Sequence, residues 1–493
     1  MALLLIVIDV TVLYTALPTL THDLRASASE KLWIMNAYTL VVTGLLLGMG
    51  TLGDRVGHRR MFIAGLIVFG TASLCAAYSP TPFALVAARA LLGLGAAMMM
   101  PATLAIIRVM FTDHKERTLA IGIWASVAAG GAAFGPVVGG LLLEYFWWGS
   151  VFLVNVPVVL AALILTAWLI PAQPGNPDSP WDPAGSLQIM AALTGIALAI
   201  KELARADRSW PLVVAASFIG VLAACTFVYR QRRSTQPLVD FSLFGNLRFS
   251  GGVIACIVAS VALVGVELVY TQRLQLVVGL TPLAAGLAIL PVSLAAVVTG
   301  PLTGLILGRV GTPRVILVSL MTTALALAGL LYAADAHGAL KLASLVLLGA
   351  SVGATITAAS NAVMNSAPPS RAGMAASIEE VSYEMGAAMG VTVLGSVLAG
   401  SYTATMKVPA HLVSTPDPAD SIDAALLAVE SMPQALGDQL LLLAHTAFDR
   451  AFSIVMTMTI VILLATVAGL ACLQVRARRN RPGQAQTGET PIG

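Results

Sequence analysis

The chain has 493 residues, of which 58% are hydrophobic and only 10% charged, with a formal net charge of +3. Soluble proteins carry roughly 45–50% apolar and about 25% charged residues, and a water-surrounded core cannot hide so much apolar surface. A string of soluble domains and an electrostatic nucleic-acid binder are both excluded, and lipid is the solvent of this chain.

A helix needs about 20 mainly apolar residues to cross a bilayer. Fourteen segments satisfy that length: 2–20, 32–52, 61–79, 83–107, 118–143, 149–170, 185–203, 211–230, 249–271, 283–308, 314–333, 340–364, 372–402 and 449–474. The first holds Asp9 and begins at Met1 without a flanking charge. It lacks the features of a cleaved signal peptide, and a preceding turn or two of helix is expected to be missing. The second holds Asn36 and Thr43 and leads into a short loop, Gly50-Thr-Leu-Gly-Asp54-Arg55-Val-Gly57-His-Arg59-Arg60. There Gly57 suits a turn with positive φ, and Asp54 suits a helix N-terminus, where the dipole favours an anion.

The fourth segment contains Arg89, the one basic residue in the interior of a span and away from its ends. It reads either as a structural partner of a carboxylate or backbone carbonyls, or as a proton relay. The fifth carries Gly131-Ala-Ala-Phe-Gly135-Pro136-Val-Val-Gly139-Gly140. Small residues at four-residue spacing let backbones approach closely, and Pro136 removes a hydrogen bond and bends the helix.

Residues 171–183 form a Pro/Gly/Asp linker after the sixth segment. The ninth holds Glu267, with Arg273 within two turns as a candidate partner, and the tenth holds no acid. The twelfth shows a polar stripe of Gly353, Thr357, Asn361 and Asn365, with Ser360 alongside, and the thirteenth holds Glu379, Glu380 and Glu384. An external segment, 403–448, reads as two short amphipathic helices, 420–431 and 434–446, broken at Pro433. It is either a lid over the outer mouth or a solvated insertion.

If the loop at 53–60 is cytoplasmic, 17 of the 27 Lys and Arg residues fall on that side and nine on the other. The bias predicts cytoplasmic termini. Four cysteines, Cys75, Cys225, Cys256 and Cys472, lie in apolar stretches and suggest neither disulfides nor a metal site. No cofactor is expected.

Five carboxylates, Asp9, Glu267, Glu379, Glu380 and Glu384, sit well inside apolar runs. Each costs about 2.5–3.5 kcal/mol on insertion scales, so they are expected to face an internal, watered cavity. Glu380 and Glu384 share a helix face with Ser377 and Gly373, whereas Glu379 is rotated by about 100°. An anionic cavity of this kind suits cations with apolar bodies. A carboxylate that accepts either such a cation or a proton, in a site open alternately to each side, performs exchange.

The assembled strings resemble the major facilitator superfamily, in particular its fourteen-span drug/proton antiporter branch. The residues 50–60 loop is similar to that superfamily's signature A, and Leu85 through Arg89 to Gly93, Gly95 and Ala97 to signature B. The glycine string of the fifth segment is similar to signature C of antiporters, and Asp9-Val-Thr11 through Pro18 to the first-span signature of the branch. Leu32-Trp33-Ile34 and Glu379-Glu380-Val-Ser-Tyr-Glu384 add a likeness to quaternary-ammonium and dye exporters.

The resemblance implies an all-α membrane protein of two six-helix bundles plus two inserted helices. The corresponding units are 1–170, 171–248 (linker and inserted pair), 249–474 and a cytoplasmic tail, 475–493. It implies a monomer in a bacterial inner membrane that exports lipophilic cationic drugs against protons. By the same resemblance Asp9, Glu380 and Glu384 couple protons, and Asn36, Glu267, Glu379, Glu380, Glu384 and Asn361 meet substrate. Gly50, Asp54, Arg55, Gly57, Arg59, Arg89, Gly131, Gly135, Pro136, Gly139 and Gly140 serve conformation, with Asp54 and Arg55 latching the bundles in the outward-facing state.

Position 36 is Asn where some relatives are acidic, and the acid-free tenth segment departs from divalent-cation exporters. A degenerate copy of the loop string, Gly304 to Arg314, lacks the Asp and fits two related bundles. Three other readings remain open: movement of an endogenous amphiphile, metabolite uptake by symport, and a membrane enzyme. The six histidines form no HExxH pattern for the last.

Overall fold

In the computed structural model every regular element among the described residues is helical. The structure describes residues 2–26, 28–171, 174–178, 181–203, 208–234, 237, 239–333, 338–368, 371–409, 412 and 417–479. The tail from 480 onward and the side chain of Pro136 lie outside them.

The helices are α1 (Ala2–Asp23), α2 (Ala28–Val56), α3 (His58–Ala77), α4 (Pro82–Met110), α5 (His114–Tyr145), α6 (Ser150–Leu153) and α7 (Asn155–Leu169). There follow α8 (Pro183–Leu203), α9 (Trp210–Arg233), α10 (Leu247–Gln272), α11 (Pro282–Val310), α12 (Thr312–Tyr332) and α13 (Gly338–Ser366). The last are α14 (Ala372–Met389), α15 (Gly395–Thr405), α16 (Ile422–Glu430) and α17 (Gln434–Arg479). A π-helical turn, Gly390–Leu394, joins α14 to α15.

Helix starts are chemically marked. Thr81 accepts from the Ala84 N–H at 3.2 Å to begin α4, and Asp113 accepts from Lys115 and Glu116 to begin α5. Each satisfies donors that the first turn leaves open. Gly57 (φ 103°) breaks α2 from α3, and Gly311 (φ 88°) breaks α11 from α12. These are equivalent positions in the two copies of the loop string, and both need the positive φ that glycine adopts without strain.

Twelve helical segments among the described residues are long and apolar enough to cross a membrane, against the fourteen expected. The difference falls at α1, of 22 residues, and α5, of 32, both of which contain positions outside the described side chains.

One hydrophobic core gathers α1–α4, α6 and α7 around Phe69, Leu66 and Phe152, and another gathers α10–α17 around Leu320, Phe452 and Met456. A third cluster, including Leu104, Ile121, Trp124, Leu193, Phe249 and Met374, joins these two groups to the α8–α9 pair.

The external segment differs from expectation. α16 forms, but residues 434–446 are not a separate helix; they are the first turns of α17, which runs 46 residues without interruption. No Gly or Pro lies between 438 and 468 to stop it. At about 1.5 Å per residue it far exceeds a hydrocarbon core of about 30 Å. Nor is the segment merely solvated: Leu412, Ile422, Ala425 and Ala428 are buried with Leu440 and Ala444, and the Tyr402 hydroxyl donates to Pro418 O at 3.0 Å.

Candidate functional site

Asp9, on α1, is buried beside Arg89 of α4. Arg89 Nη1 donates to Asp9 Oδ2 at 2.6 Å, with both side chains 1% exposed. The other oxygen, Oδ1, accepts from Asn155 Nδ2 at 2.8 Å, and the same amide group lies 3.2 Å from Ser73 Oγ. Asn155 begins α7 directly after the break at Val154. The Arg89 Nε reaches Ile34 O at 3.4 Å, and the guanidinium covers the Tyr38 ring, 4.6 Å from its centre. A buried ion pair survives desolvation only when its remaining donors and acceptors are met, and this cluster meets most of them. Arg89 thus holds a carboxylate and a backbone carbonyl together.

The carboxylates of α14 divide by helix face. Glu379 accepts from the Ser360 hydroxyl of α13 and sits beside Cys256 of α10 and Tyr383. Glu380, 2% exposed, and Glu384 lie within electrostatic reach of Tyr38 on α2, and Glu380 also lies within reach of Glu379 and Cys256. Glu379 Oε2, Glu380 Oε1 and the hydroxyls of Tyr38 and Tyr383 are buried and meet no hydrogen-bonding partner. An unmet buried polar atom costs about 1–3 kcal/mol; Tyr38 of α2 and Glu380 of α14 bring two of them to the crossing of those helices, and Glu379 and Tyr383 carry the other two on the α10 and α13 side of α14.

Lower on the same face of α14, the two halves close. Ser377 Oγ donates to Leu46 O at 2.8 Å. A Cβ on Gly50 would lie 2.5 Å from Gly373 O, so only glycine permits this approach. Asp54 Oδ1 accepts from the Gly373 N–H at 2.9 Å and Oδ2 from the Met374 N–H at 3.2 Å. The anion therefore caps the N-terminus of α14, where the helix dipole favours it, and not that of its neighbour α3. His58 Nε2 lies 3.2 Å from Asp54 Oδ1.

The preceding helix end, at α13, is negative, and two cations meet it. Arg108 donates to Asn365 Oδ1 at 3.0 Å and to Ala367 O at 2.7 Å, and Arg117 donates to Asn365 Oδ1 at 2.7 Å. Asn361 Nδ2 donates to Thr118 Oγ1 at 2.9 Å, and Gly122 of α5 abuts Gly300 of α11. Charges of both signs on one half thus grip the adjoining ends of α13 and α14 on the other.

Several sequence expectations land elsewhere. Arg55 is exposed and takes no part in the latch, which Asp54 makes through backbone N–H groups. Arg59 donates to Ala167 O at 3.2 Å within its own half. Asn361 ties α13 to α5 and, at 3.5 Å, to Thr312 of α12. Arg273 pairs not with Glu267 but with Asp449, at 2.7 Å, and Glu267 is half-buried on α10. Asn36 is half-buried on α2.

Gly131 and Gly135 of α5 pack against Val7 and Thr11 of α1, Gly139 is buried, and Gly140 faces open space. Tyr38, Ser73 and Asn155 escaped the sequence reading, because a lone Tyr, Ser or Asn in an apolar helix carries no pattern. Arg108 and Arg117 were legible only as basic residues at one membrane face.

The sequence pattern of the Major Facilitator Superfamily matches residues 1–391. The chain is 37% identical over 480 residues to the methyl viologen resistance protein SmvA of Salmonella typhimurium, covering 96% of this chain and 97% of that protein. It is 38% identical over 473 residues to the multidrug efflux pump LfrA of Mycolicibacterium smegmatis, covering 95% and 94%. The proton:xylose symporter XylE shares its fold at a TM-score of 0.58 and 14% identity, over 94% of each chain. The human organic anion transporter MFSD10 does so at a TM-score of 0.60 and 14% identity, over 94% of this chain and 97% of that one. The buried ion pair, the crossing of carboxylate-bearing α14 with α2 and the paired glycine turns therefore belong to a transporter and not an enzyme: the chain is a member of the Major Facilitator Superfamily.

Proposed function

We propose that this chain is a multidrug exporter that exchanges lipophilic cations, such as quaternary ammonium compounds and cationic dyes, for protons. The observation that carries the reading is the pair of unmet polar atoms on the crossing helices α2 and α14, the Tyr38 hydroxyl and Glu380 Oε1, the latter above all. A cation with an apolar body satisfies that oxygen, loses little hydration on entry and packs on the neighbouring rings. A proton on the same carboxylate excludes it. The relatives named for methyl viologen resistance and multidrug efflux support an exporter of drugs.

In this reading α1 and α5 complete fourteen spans, and residues 1–170 and 249–474 form two bundles around the inserted α8–α9 pair. The basic end with the residues 53–60 loop and both termini are cytoplasmic, the protein being a monomer in the bacterial inner membrane. The latch at Asp54 and the Gly50–Gly373 approach then close the cytoplasmic side, so the structure is outward-facing. Glu380 and Glu384 take the cation or a proton, and Glu267 and Asn36 line the approach. Asp9, held by Arg89, is the second protonation site. Proton entry there releases Arg89 and destabilises the cation-loaded state.

The test is efflux of ethidium, a fluorescent lipophilic cation, from energised cells, comparing wild type with Glu380→Gln and Asp9→Asn, with and without an uncoupler. Uncoupler-sensitive efflux that is lost in both variants supports exchange through these carboxylates. Absence of efflux by well-expressed wild type would overturn the reading in favour of an endogenous amphiphile.

A further inference from the structure

The two oxygens of Asp9 meet partners of unlike chemistry. Oδ2 accepts from Arg89 Nη1 at 2.6 Å, and Oδ1 accepts from Asn155 Nδ2 at 2.8 Å, the same amide nitrogen standing 3.2 Å from Ser73 Oγ. Arginine only donates and keeps its charge. It serves a carboxylate and has nothing to offer the O–H of a neutral acid. An asparagine amide carries two donors at one end and two acceptor lone pairs at the other, and a serine hydroxyl both donates and accepts. Asn155 and Ser73 are both 0% exposed, and Asn155 Oδ1 is buried without a hydrogen-bonding partner. The donor end of this amide is thus fully used on Asp9 and Ser73, while its acceptor end stands idle.

We propose that Asn155 is a positioning residue that serves Asp9 in both protonation states by turning its amide end for end, and that the transported proton therefore rides on Asp9 Oδ1. The assignment rests on the exchange reading above, in which Asp9 takes a proton, and deepens it by naming the oxygen and the group that receives it. When a proton joins Oδ1, a half-turn about the Cβ–Cγ bond of Asn155 brings its carbonyl oxygen to that place. There it accepts from the new Asp9 O–H and from the Ser73 hydroxyl. The NH2 group moves to the side that the carbonyl has left, so two hydrogen bonds are made for the two given up. Arg89 keeps Ile34 O and the Tyr38 ring as neighbours but no longer faces a charge. The proton comes from water on one side of the membrane and leaves to water on the other, and nothing else is consumed.

The test uses the purified full chain in liposomes, with labelled ethidium. Uptake driven by an acid interior is compared with exchange of ethidium between equal pools, a mode in which no proton need bind. Leucine matches the bulk of asparagine and has neither donor nor acceptor. Asn155→Leu is expected to lose more than about tenfold in driven uptake while exchange stays within about threefold of wild type. Equal loss in both modes would assign Asn155 to packing, and undiminished driven uptake would show that Asp9 has no need of it. Either result overturns the proposal.

If Asn155→Leu is not monodisperse, infrared difference spectra of the wild type between acid and alkaline buffer decide the matter, with the asparagine carbonyls isotopically labelled. An asparagine side-chain carbonyl band is expected to move to lower frequency as the Asp9 carboxylic acid band rises, with neither change in Asp9→Asn. An acid band that rises while the amide carbonyl stays in place overturns the proposal. Absence of driven uptake by wild type overturns the exchange reading itself, so the two failures are distinct.

Discussion

Asp9 and Arg89, 80 residues apart in the chain, meet through a 2.6 Å hydrogen-bonded ion pair at the centre of the first helical bundle. The pair is not a surface ornament. With both groups almost fully buried, removing one leaves the other charge unmet in a medium that solvates it poorly, at a cost of about 3–5 kcal/mol. Asp9→Asn is therefore expected to lower the melting temperature clearly, and Arg89→Gln to do the same. The double variant should lose much less than the sum of the two, because no charge is then stranded. Additive losses in a melting series would mean that the two residues act independently.

The latch between the halves depends on the absence of side chains at Gly50 and Gly373. Any Cβ at Gly50 would press on Gly373 O at 2.5 Å, and backbone cannot move aside as a flexible side chain can. Gly373→Val is expected to push the halves apart at this end. With the native cysteines replaced, a cysteine at Ser377, buried against Leu46, should react with a water-soluble maleimide several-fold faster in the valine variant. Equal rates would show that the closure is held elsewhere, by Arg108 and Arg117.

Outside the membrane, the connection between α9 and α10 is fastened by Asp240. The Ser242 hydroxyl and backbone N–H and the Arg371 guanidinium, 2.7 Å away, hold its carboxyl below the usual carboxylate range. A carboxyl with a depressed folded pKa contributes stability that is present above its unfolded value of about 3.9 and is lost as pH falls through the lower folded value. Asp240→Asn should therefore melt below wild type at pH 7, with the gap closing as pH falls through the lowered folded value. A gap independent of pH would assign the effect to shape and not to charge.

Much of this molecule can be read without coordinates, because charge in an apolar helix is expensive and so is conspicuous. Asp9, Arg89 and the three glutamates of α14 stood out for that reason, and the glycines of the two loop strings stood out by their spacing. What the chain cannot reveal by itself is pairing. That Arg273 chooses Asp449, 176 residues away, over Glu267 near at hand depends on how α10 and α17 face each other. That Asp54 caps α14 and not α3 depends on a contact across 319 residues. Tyr38 and Asn155 had no signal at all, since their importance comes from standing beside charges that other helices supply. The unbroken run of α17 was legible in principle: Pro433 lies just before Gln434, where the helix starts, and no helix breaker separates 446 from 449.

Adjacent glutamates on α14 give a last discrimination. Each keeps one oxygen unmet, but Glu379 accepts from Ser360 of α13 through its other oxygen, whereas Glu380, one residue on, lies on another face of the helix. Glutamine at 379 can still accept from Ser360 through its amide oxygen, so binding of tetraphenylphosphonium should stay within about threefold of wild type. Glutamine at 380 removes the charge that the cation needs, and a single desolvated charge contact exceeds the 1.4 kcal/mol that corresponds to about tenfold in affinity. Glu380→Gln should therefore bind more than about tenfold more weakly. The reverse order of effects would move the cation's partner into the second bundle, beside Cys256 and Tyr383, and leave Glu380 to the proton alone.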